Sequence, residues 1–148
     1  MQESTVRQRL AWPVCLQRQD DGSMLVVFPD IPEALSEGAT EEEALAQARD
    51  CLIAALGGYV ASRRDIPRAS PARGRAMIAL PALAAAKVAL YTAMRSQAVG
   101  NTALAARLGL TEGAVRRLVN LDHRSHIGQV ETALRALGQQ LTIATRAA

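Results

Sequence analysis

The sequence predicts an α+β fold in which a small β-sheet and one long helix precede an all-α domain. The sheet is indicated by short apolar runs in residues 12–28, interrupted by an Asp-Gly turn. The long helix is indicated by a capping pattern that begins at Thr40, before a repeating apolar stripe. The all-α domain is indicated by residues 101–120, which have the spacing of a helix-turn-helix pair.

The amino-terminal strands are expected to begin with a β-hairpin. Residues 12–19 are predicted to form a strand, and residues 20–23 contain the Asp-Gly pair that is typical of hairpin turns. Residues 24–28 are continuously apolar, which indicates a central strand or burial on both faces. Two prolines in residues 29–32 end this strand, and a short third strand is expected around residues 34–37.

A long helix and a linker complete the amino-terminal half. Thr40 and Glu43 have the T-x-x-E spacing of a capping box. The apolar residues behind them recur at helical spacing, as Ala44, Leu45, Ala48, Leu52, Ala55, Leu56 and Tyr59. Residues 66–75 combine prolines, a glycine and arginines with little to bury, and residues 77–80 are predicted to form another strand. We therefore place a domain of residues 1–80, linker included, before a domain of residues 81–148.

The second domain is expected to be helical. Pro81 suits the first position of a helix, whose apolar face would hold Leu83, Val88, Leu90 and Met94. Two short helices are predicted at residues 101–108 and 111–120. A further helix from about residue 126 to 137 would be capped by the hydroxyl of Ser125.

Residues 101–120, NTALAARLGLTEGAVRRLVN, fit the template of a DNA-reading helix pair at the positions with a steric role. Gly109 ends the first helix because glycine adopts the left-handed conformation at no steric cost. Thr111 can cap the second helix, and Ala105 is small where the two helices cross. The buried face is expected to hold Leu104, Leu108, Leu110, Val115 and Leu118. An ordinary αα-hairpin is the alternative, since its turn can also contain glycine.

Charge is divided unequally along the chain. Residues 1–66 hold six basic and eleven acidic residues, whereas residues 67–148 hold eleven and three, giving net charges of −5 and +8. A basic half that contains the helix pair suits DNA, whose phosphates provide most of the non-specific affinity. The acidic half would be repelled by DNA and is expected to face a basic partner. The alternative is two solvated surfaces that differ by chance.

The second helix of the pair would place its amino end in the major groove. Arg116 and Arg117 point away from the expected buried face, so that one can pair with guanine while the other holds a phosphate. The sequence does not distinguish between them. The residues expected to contact DNA are Asn101, Thr102, Thr111, Glu112, Gly113, Arg116, Arg117, Asn120, His123 and Arg124.

The composition limits other functions. With one Phe, one Trp and two Tyr, the cores must be aliphatic and small, which favours oligomerisation. Cys15 and Cys51 lack metal-ligand spacing and are expected to be buried thiols in a reducing compartment. His123 and His126 have a zinc-like spacing without completing ligands, so we expect neither a metal nor a cofactor. The chain has neither a long apolar run nor a signal peptide, and we expect a cytoplasmic protein.

Short motifs in the acidic half resemble a known family. Residues 26–32 have the sequence VVFPDIP, residues 36–40 have SEGAT, and residues 42–48 begin with Glu-Glu-Ala-Leu and end with alanine. Their order and spacing resemble the HicB family, the antitoxins of HicA/HicB toxin–antitoxin pairs. Glu33 and Ala39 depart from the glycine and aspartate that are usual in this family.

The basic half resembles the same family. Residues 87–94 and the helix pair are similar to the carboxyl-terminal domain of HicB members with a helix-turn-helix. The resemblance implies an amino-terminal domain like a truncated RNase H fold. In this family that domain binds a small RNA-cleaving toxin and covers its active site. The carboxyl-terminal domain would bind the operator and repress the protein's own operon.

The toxin-binding residues are expected in the loop after the second strand and at the end of the third. They are Pro29, Asp30, Ile31, Pro32, Glu33 and Glu37. An acidic surface would meet a basic RNA-binding toxin by charge complementarity. Residues 41–43, which are all glutamate, fit either this contact or the ordinary preference for negative charge at a helix start. Phe28 is expected in the core.

Two other functions fit the sequence less well than an antitoxin. A stand-alone transcription factor with a ligand-sensing domain would share the helix pair, but no polar-lined pocket is indicated. A nuclease is rejected, because strands 12–19 and 24–28 lack the carboxylates that bind two Mg²⁺ ions. We expect a non-enzymatic antitoxin and repressor that forms a homodimer. The alternating residues 140–145, with Leu141 and Ile143, are the expected dimer contact, and a tail that folds back or is disordered is the alternative.

Overall fold

The computed structural model describes residues 10–147, and within them the contacts define two compact units. The first unit runs up to Gly58 and includes Ile66–Leu80, and the second comprises Tyr59–Asp65 and the residues from Pro81 onward. The mixed α+β fold is confirmed. In chain order the elements are β1 (Ala11–Pro13), β2 (Cys15–Arg18), β3 (Met24–Val27), β4 (Leu35–Gly38), α1 (Glu41–Ala61), β5 (Met77–Ala79), α2 (Ala82–Ser96), α3 (Asn101–Leu108), α4 (Glu112–Val119) and α5 (Ile127–Ala136).

Within residues 10–147 the strands form two antiparallel sheets. The larger has the order β2-β3-β4, so the continuously apolar strand is central, as predicted. The smaller pairs β1 with β5, with Trp12 opposite Ile78. The predicted hairpin, the short third strand and the returning strand after the linker are therefore confirmed.

The expected strand over residues 12–19 is wrong in one respect, because it is broken at Val14. The amide of Val14 donates to the Ala76 carbonyl at 2.9 Å, whereas Cys15 pairs with Val27 of β3. Pro13 has no N–H with which to continue a ladder. Ala76, the partner of Val14, lies far along the chain. The alternation of apolar and polar residues around Val14 therefore does not predict the break.

The core of the first unit is formed by its strands, the loop after β3 and one face of α1. Trp12, Val26 and Phe28 are buried, which confirms Phe28 as a core residue. The indole N–H of Trp12 donates to the Pro67 carbonyl at 3.1 Å and connects the linker to β1. The predicted stripe on α1 is also present, with Ala44, Ala48, Leu52 and Leu56 fully buried and with Leu45 and Ala55 half-buried.

The junction between β4 and α1 is closely packed. The amide of Glu43 donates to the Thr40 hydroxyl at 3.2 Å, as the capping pattern predicted. The Glu43 carboxylate accepts from the Ala39 amide at 3.1 Å. At Gly38 an added Cβ would lie 2.5 Å from the amide nitrogen of Ala44. A side chain is therefore excluded at Gly38, where the strand meets the helix.

The second unit is built from α2 to α5, at the positions that the sequence predicted. Its core contains Leu90, Met94, Leu104, Val115, Leu118, Val130 and Leu134. The last helix begins later than expected, after His126, and Ser125 does not cap it. The hydroxyl of Ser125 instead contacts the ammonium of Lys87. Residues 140–145 do not form a strand in the described chain.

Tyr59–Asp65, at the end of α1 and directly after it, belong to the second unit. The phenol of Tyr91 donates to the Arg64 carbonyl at 2.7 Å, and Arg95 Nε donates to Asp65 Oδ1 at 2.8 Å. Arg63 adopts a positive φ of 54°, and the Arg64 amide donates to the Tyr59 carbonyl at 2.9 Å. This pattern is a left-handed helix end without glycine. In residues 10–147, no helix has the length and hydrophobicity that crossing a membrane requires.

Candidate functional sites

The turn between α3 and α4 has the geometry that its sequence predicts. Gly109 has a φ of +66°, and the amide of Leu110 donates to the Ala105 carbonyl at 2.9 Å. Thr111 Oγ1 accepts from the amide of Ala114 at 3.1 Å, which caps α4. The small residue Ala105 is buried. The left-handed conformation of Gly109 and the cap formed by Thr111 together set how α3 and α4 are placed relative to each other.

Leu110 is a correction to the expected buried face. It is 46% exposed, whereas Leu104, Val115 and Leu118 are buried and Leu108 is half-buried. Leu110 lies in the turn between Gly109 and Thr111, outside either helix, so helical spacing does not determine the side on which it lies.

The exposed face of α4 contains a small polar network. Both Arg116 and Arg117 are exposed, as expected. The Glu112 carboxylate lies 3.4 Å from Arg116 Nη2, and its other oxygen accepts from Asn101 Nδ2 at 3.4 Å. Glu112 therefore connects the start of α3 to the arginine one turn along α4. Thr102 is exposed, and Thr111 uses its hydroxyl as the cap.

Gly113 is not required by packing. A Cβ added there would lie 3.6 Å from the nearest atom, the Nη2 of Arg116, which is an ordinary contact. Gly113 is half-buried near the start of α4.

A compact turn follows α4. The Asn120 amide donates to the carbonyls of Arg116 and Arg117, and the Asn120 side chain accepts from the Asp122 amide at 3.0 Å. The His123 amide donates to the Asn120 carbonyl at 3.1 Å, and Arg124 is exposed. These bonds give residues 120–124 a defined conformation directly after the helix.

Lys87 is a residue of this site that we did not identify from the sequence. It is fully buried on α2, and its Nζ donates to the carbonyls of Arg117, Asn120 and His123 at 2.7 to 2.9 Å. Burial lowers the pKa of its ammonium. The sequence does contain one indication that Lys87 is buried. It has helical spacing between Leu83 and Leu90, which places it on the apolar face of α2.

The loop after β3 separates the expected toxin contacts into two groups. Pro29, Pro32 and Glu33 are exposed. Ile31 is 0% exposed, which places its side chain in the core and not on an accessible surface. Asp30 is half-buried, and its carboxylate accepts from both the amide and the hydroxyl of Ser70. Asp30 thus binds the linker to this loop.

The edge strand β4 presents a further part of the same region. Glu37 is exposed and accepts from the Ser23 hydroxyl at 2.7 Å. Leu35, two residues earlier on the same face, is 54% exposed. Leu35 has no role that we predicted from the sequence. Successive side chains of a strand lie on opposite faces, and Ser36 is buried, so Leu35 lies on the outer face.

The two residues expected at a dimer contact lie in the carboxyl-terminal tail. Leu141 is half-buried and Ile143 is 67% exposed. Cys15 and Cys51 are free and half-buried, so the expectation of full burial is wrong for both. Each lies at the margin of the core, where part of the side chain contacts solvent. Residues 10–147 contain no cluster of three or more histidine, cysteine or carboxylate side chains suited to a metal ion.

Comparisons with known proteins agree on one family. The sequence profile described as "HicB_like antitoxin of bacterial toxin-antitoxin system" matches residues 11–89. The protein named Antitoxin HicB 2 from Photorhabdus laumondii is 40% identical over 136 residues, which cover 92% of this chain and 96% of that protein. Antitoxin HicB from Escherichia coli K12 is 36% identical over 135 residues, or 90% and 98% of the two chains.

A third relative gives the same result. Antitoxin HicB from Pseudomonas fluorescens is 40% identical over 132 residues, which cover 88% of this chain and 90% of that protein. These matches extend over most of both chains and therefore continue beyond the residues of the family profile. The chain belongs to the HicB-like antitoxin family.

Proposed function

We propose that the protein is a non-enzymatic antitoxin that binds and neutralises a small HicA-type, mRNA-cleaving toxin and represses its own operon through α3 and α4. The observation that carries this proposal is family membership together with a capped helix pair whose outer face holds Arg116 and Arg117. A protein with these two partners, toxin and operator DNA, acts in the cytoplasm and needs no cofactor.

The toxin-binding surface would be formed by the loop after β3 and by the outer face of β4. Its accessible residues are Pro29, Pro32, Glu33, Leu35 and Glu37. A protein that binds RNA has a basic surface, and two carboxylates beside an exposed leucine offer it charge and apolar contact together. Asp30 and Ile31 support this surface from within, since one binds Ser70 and the other is buried.

The DNA-binding surface would be the exposed side of α4 and the turn after it. Arg116 and Arg117 would enter the major groove or contact phosphate, with Asn101, Thr102 and the backbone near Thr111 and Gly113 contributing from the amino ends of the helices. Asn120, His123 and Arg124 follow α4 and would contact the DNA backbone. The net charge of +8 in residues 67–148 supports this assignment.

A homodimer would place two such helices on a two-fold operator. One short recognition helix contacts only a few base pairs, so two of them about one DNA turn apart provide both affinity and selection of the site. Exposed Ile143 and half-buried Leu141, in a tail without strand pairing of its own, are the proposed dimer contacts.

Co-expression tests the antitoxin activity. The full chain is produced together with a HicA-type protein, sought in the reading frame beside its gene, and growth and messenger RNA integrity are followed. Rescue of growth by this chain, with copurification of both proteins, is the expected result. Growth arrest that persists while the chain is folded and present in excess would contradict the proposal. Gel-shift titration with the promoter region of the operon tests the repressor activity separately.

A further inference from the structure

A buried lysine contacts the far end of the proposed recognition helix. Lys87 is 0% exposed, and its ammonium nitrogen lies 2.9 Å from the Arg117 carbonyl and 2.7 Å from the Asn120 carbonyl. The same nitrogen lies 2.8 Å from the His123 carbonyl and 2.9 Å from the Ser125 hydroxyl. One side chain of α2 thus contacts four residues between positions 117 and 125.

The chemistry of this contact favours a cation. Arg117 and Asn120 lie at the carboxyl end of α4, where helix carbonyls lack intrahelical donors and the dipole favours positive charge. An ammonium has three hydrogens and meets three carbonyls here, and the Ser125 hydroxyl is near enough to share them. That hydroxyl also lies 3.2 Å from His123 Nδ1. An apolar side chain at position 87 would remove the charged donor from these carbonyls, which would keep only the weaker hydrogen bonds that they accept from the amides of Asn120, His123 and Ser125.

The residues bound by the ammonium coincide with expected DNA contacts. Arg117, Asn120 and His123 each offer a backbone carbonyl to Lys87, while their side chains lie in the region that we assign to DNA. Lys87 is buried and has no access to a phosphate. Its ammonium binds the backbone of these residues from their buried side.

We propose that Lys87 is a positioning residue for operator recognition, which fixes the end of α4 and the turn to Ser125 so that their side chains meet bases and phosphates in register. The proposal rests on the proposed DNA-binding function of α4. It assigns to α2 a role in sequence selection, although α2 itself does not contribute a DNA contact.

A purely structural role would give a different result. If Lys87 only stabilised the fold, its loss would reduce binding to every DNA by the same factor, through the folded fraction. If Lys87 positions the backbone, operator binding falls more than binding to a scrambled duplex.

The experiment compares Lys87→Met with Arg135→Met in the full chain. Arg135 is an exposed residue of α5 paired with Glu131, so both variants lose one positive charge from the second unit. Affinities are measured for the promoter duplex and for a scrambled duplex, at a temperature where circular dichroism shows both variants folded. We expect Lys87→Met to lower the ratio of the two affinities about tenfold, and Arg135→Met to leave it unchanged. Amide hydrogen exchange should accelerate at residues 117–125 in Lys87→Met.

A milder variant covers the case in which Lys87→Met does not fold. Ser125→Ala removes one of the four acceptors from a half-buried position, and we expect it to lower the ratio about threefold. A wild-type ratio in the folded variants would overturn the positioning role while leaving the proposed function intact. A wild-type chain that does not discriminate between the two duplexes would overturn the DNA-binding function, and the positioning role with it.

Discussion

At the scale of single residues, the two arginines of α4 are in different environments. Arg116 is paired with Glu112 at 3.4 Å, and Glu112 is also bonded to Asn101. An exposed pair of this spacing contributes about 0.3–0.5 kcal/mol, so it can be exchanged for a contact to DNA at little cost. Glu112 would then be free to accept from a cytosine amino group or to stay with Asn101. Arg117, whose carbonyl binds Lys87, has the more constrained backbone.

Replacing either arginine should weaken operator binding without affecting the toxin. Arg116→Ala and Arg117→Ala should each cost roughly 1–3 kcal/mol, or about fivefold to 150-fold in affinity, and the double variant should lose specific binding. A gel-shift titration at fixed salt measures this, with Arg135→Ala as the control for loss of one exposed charge. If both variants kept full affinity, α4 would not be the recognition helix.

Two glycines of the first unit should respond to substitution in opposite ways. At Gly38 a Cβ would lie 2.5 Å from the backbone of Ala44, so Gly38→Ala should lower the free energy of unfolding by about 1–3 kcal/mol. At Gly57, inside α1, an added Cβ meets open space, and Gly57→Ala should raise that free energy by about 0.5–1 kcal/mol. Urea denaturation of the intact chain measures both. A neutral Gly38→Ala would show that the strand and helix are less closely joined than the structure indicates.

At the scale of elements, the alternating side chains of the edge strand β4 give it one buried face and one face that is exposed to a partner. Its alternation places Ser36 inside, where the hydroxyl donates to the Ala44 carbonyl at 2.7 Å, and Leu35 and Glu37 outside. The buried half of the strand therefore holds α1, and the exposed half is available to a second protein. Exposed leucine on an edge strand is a liability in a monomer, which is consistent with its being covered in a complex.

Reversing one charge on this strand should impair the antitoxin. Glu37→Lys removes a carboxylate from the proposed toxin surface and repels a basic partner, so association should slow by about tenfold or more. Asp50→Lys, on an exposed position of α1, is the matched control. Surface plasmon resonance with the toxin at low and moderate salt measures the rates. Equal slowing by both variants would indicate a general charge effect and not a contact at β4.

The elements differ in how well the sequence predicts them. The turn between α3 and α4 follows from Gly109 and Thr111, whose local chemistry is sufficient to end one helix and begin the next. The break at Val14 depends on Ala76, a partner distant in sequence. The positions of Leu110 and Ile31, one exposed and one buried, depend likewise on packing that residue spacing does not specify. Lys87 was missed because its acceptors are backbone carbonyls, which any sequence contains.

At the scale of the whole molecule, the chain crosses between its two units more than once. Residues 59–65, at the end of α1 and beyond it, group with α2 through Tyr91 and Arg95, and residues 66–80 then return to the first unit. A fragment that ends at Leu80 would leave Tyr59–Asp65 without the side chains that bind them. Substitutions in the full chain are therefore sharper tests of the two proposed activities than separated domains.

The oligomeric state is a further property of the whole molecule. Operator recognition by short helices favours a protein with two-fold symmetry. We expect the intact chain to be a homodimer at micromolar concentration, and a chain truncated after Gly138 to be monomeric. Gly138, with a φ of +74°, follows α5, so truncation there spares the helix and removes Leu141 and Ile143. Ile143 is 67% exposed and its burial in a dimer would contribute an apolar contact that the monomer lacks.

Light scattering coupled to size exclusion measures both chains. Ile143→Asp should weaken the dimer as truncation does, because a carboxylate is costly to bury in an apolar contact. Thr142→Asp adds the same charge at the neighbouring exposed position without replacing an apolar side chain, and should have less effect. A monomeric intact chain would contradict dimerisation itself. A truncated chain that stays dimeric would move the contact from the tail to the helical part of the second unit, where Leu110, in the turn between α3 and α4, and Ile127, at the start of α5, are exposed apolar residues.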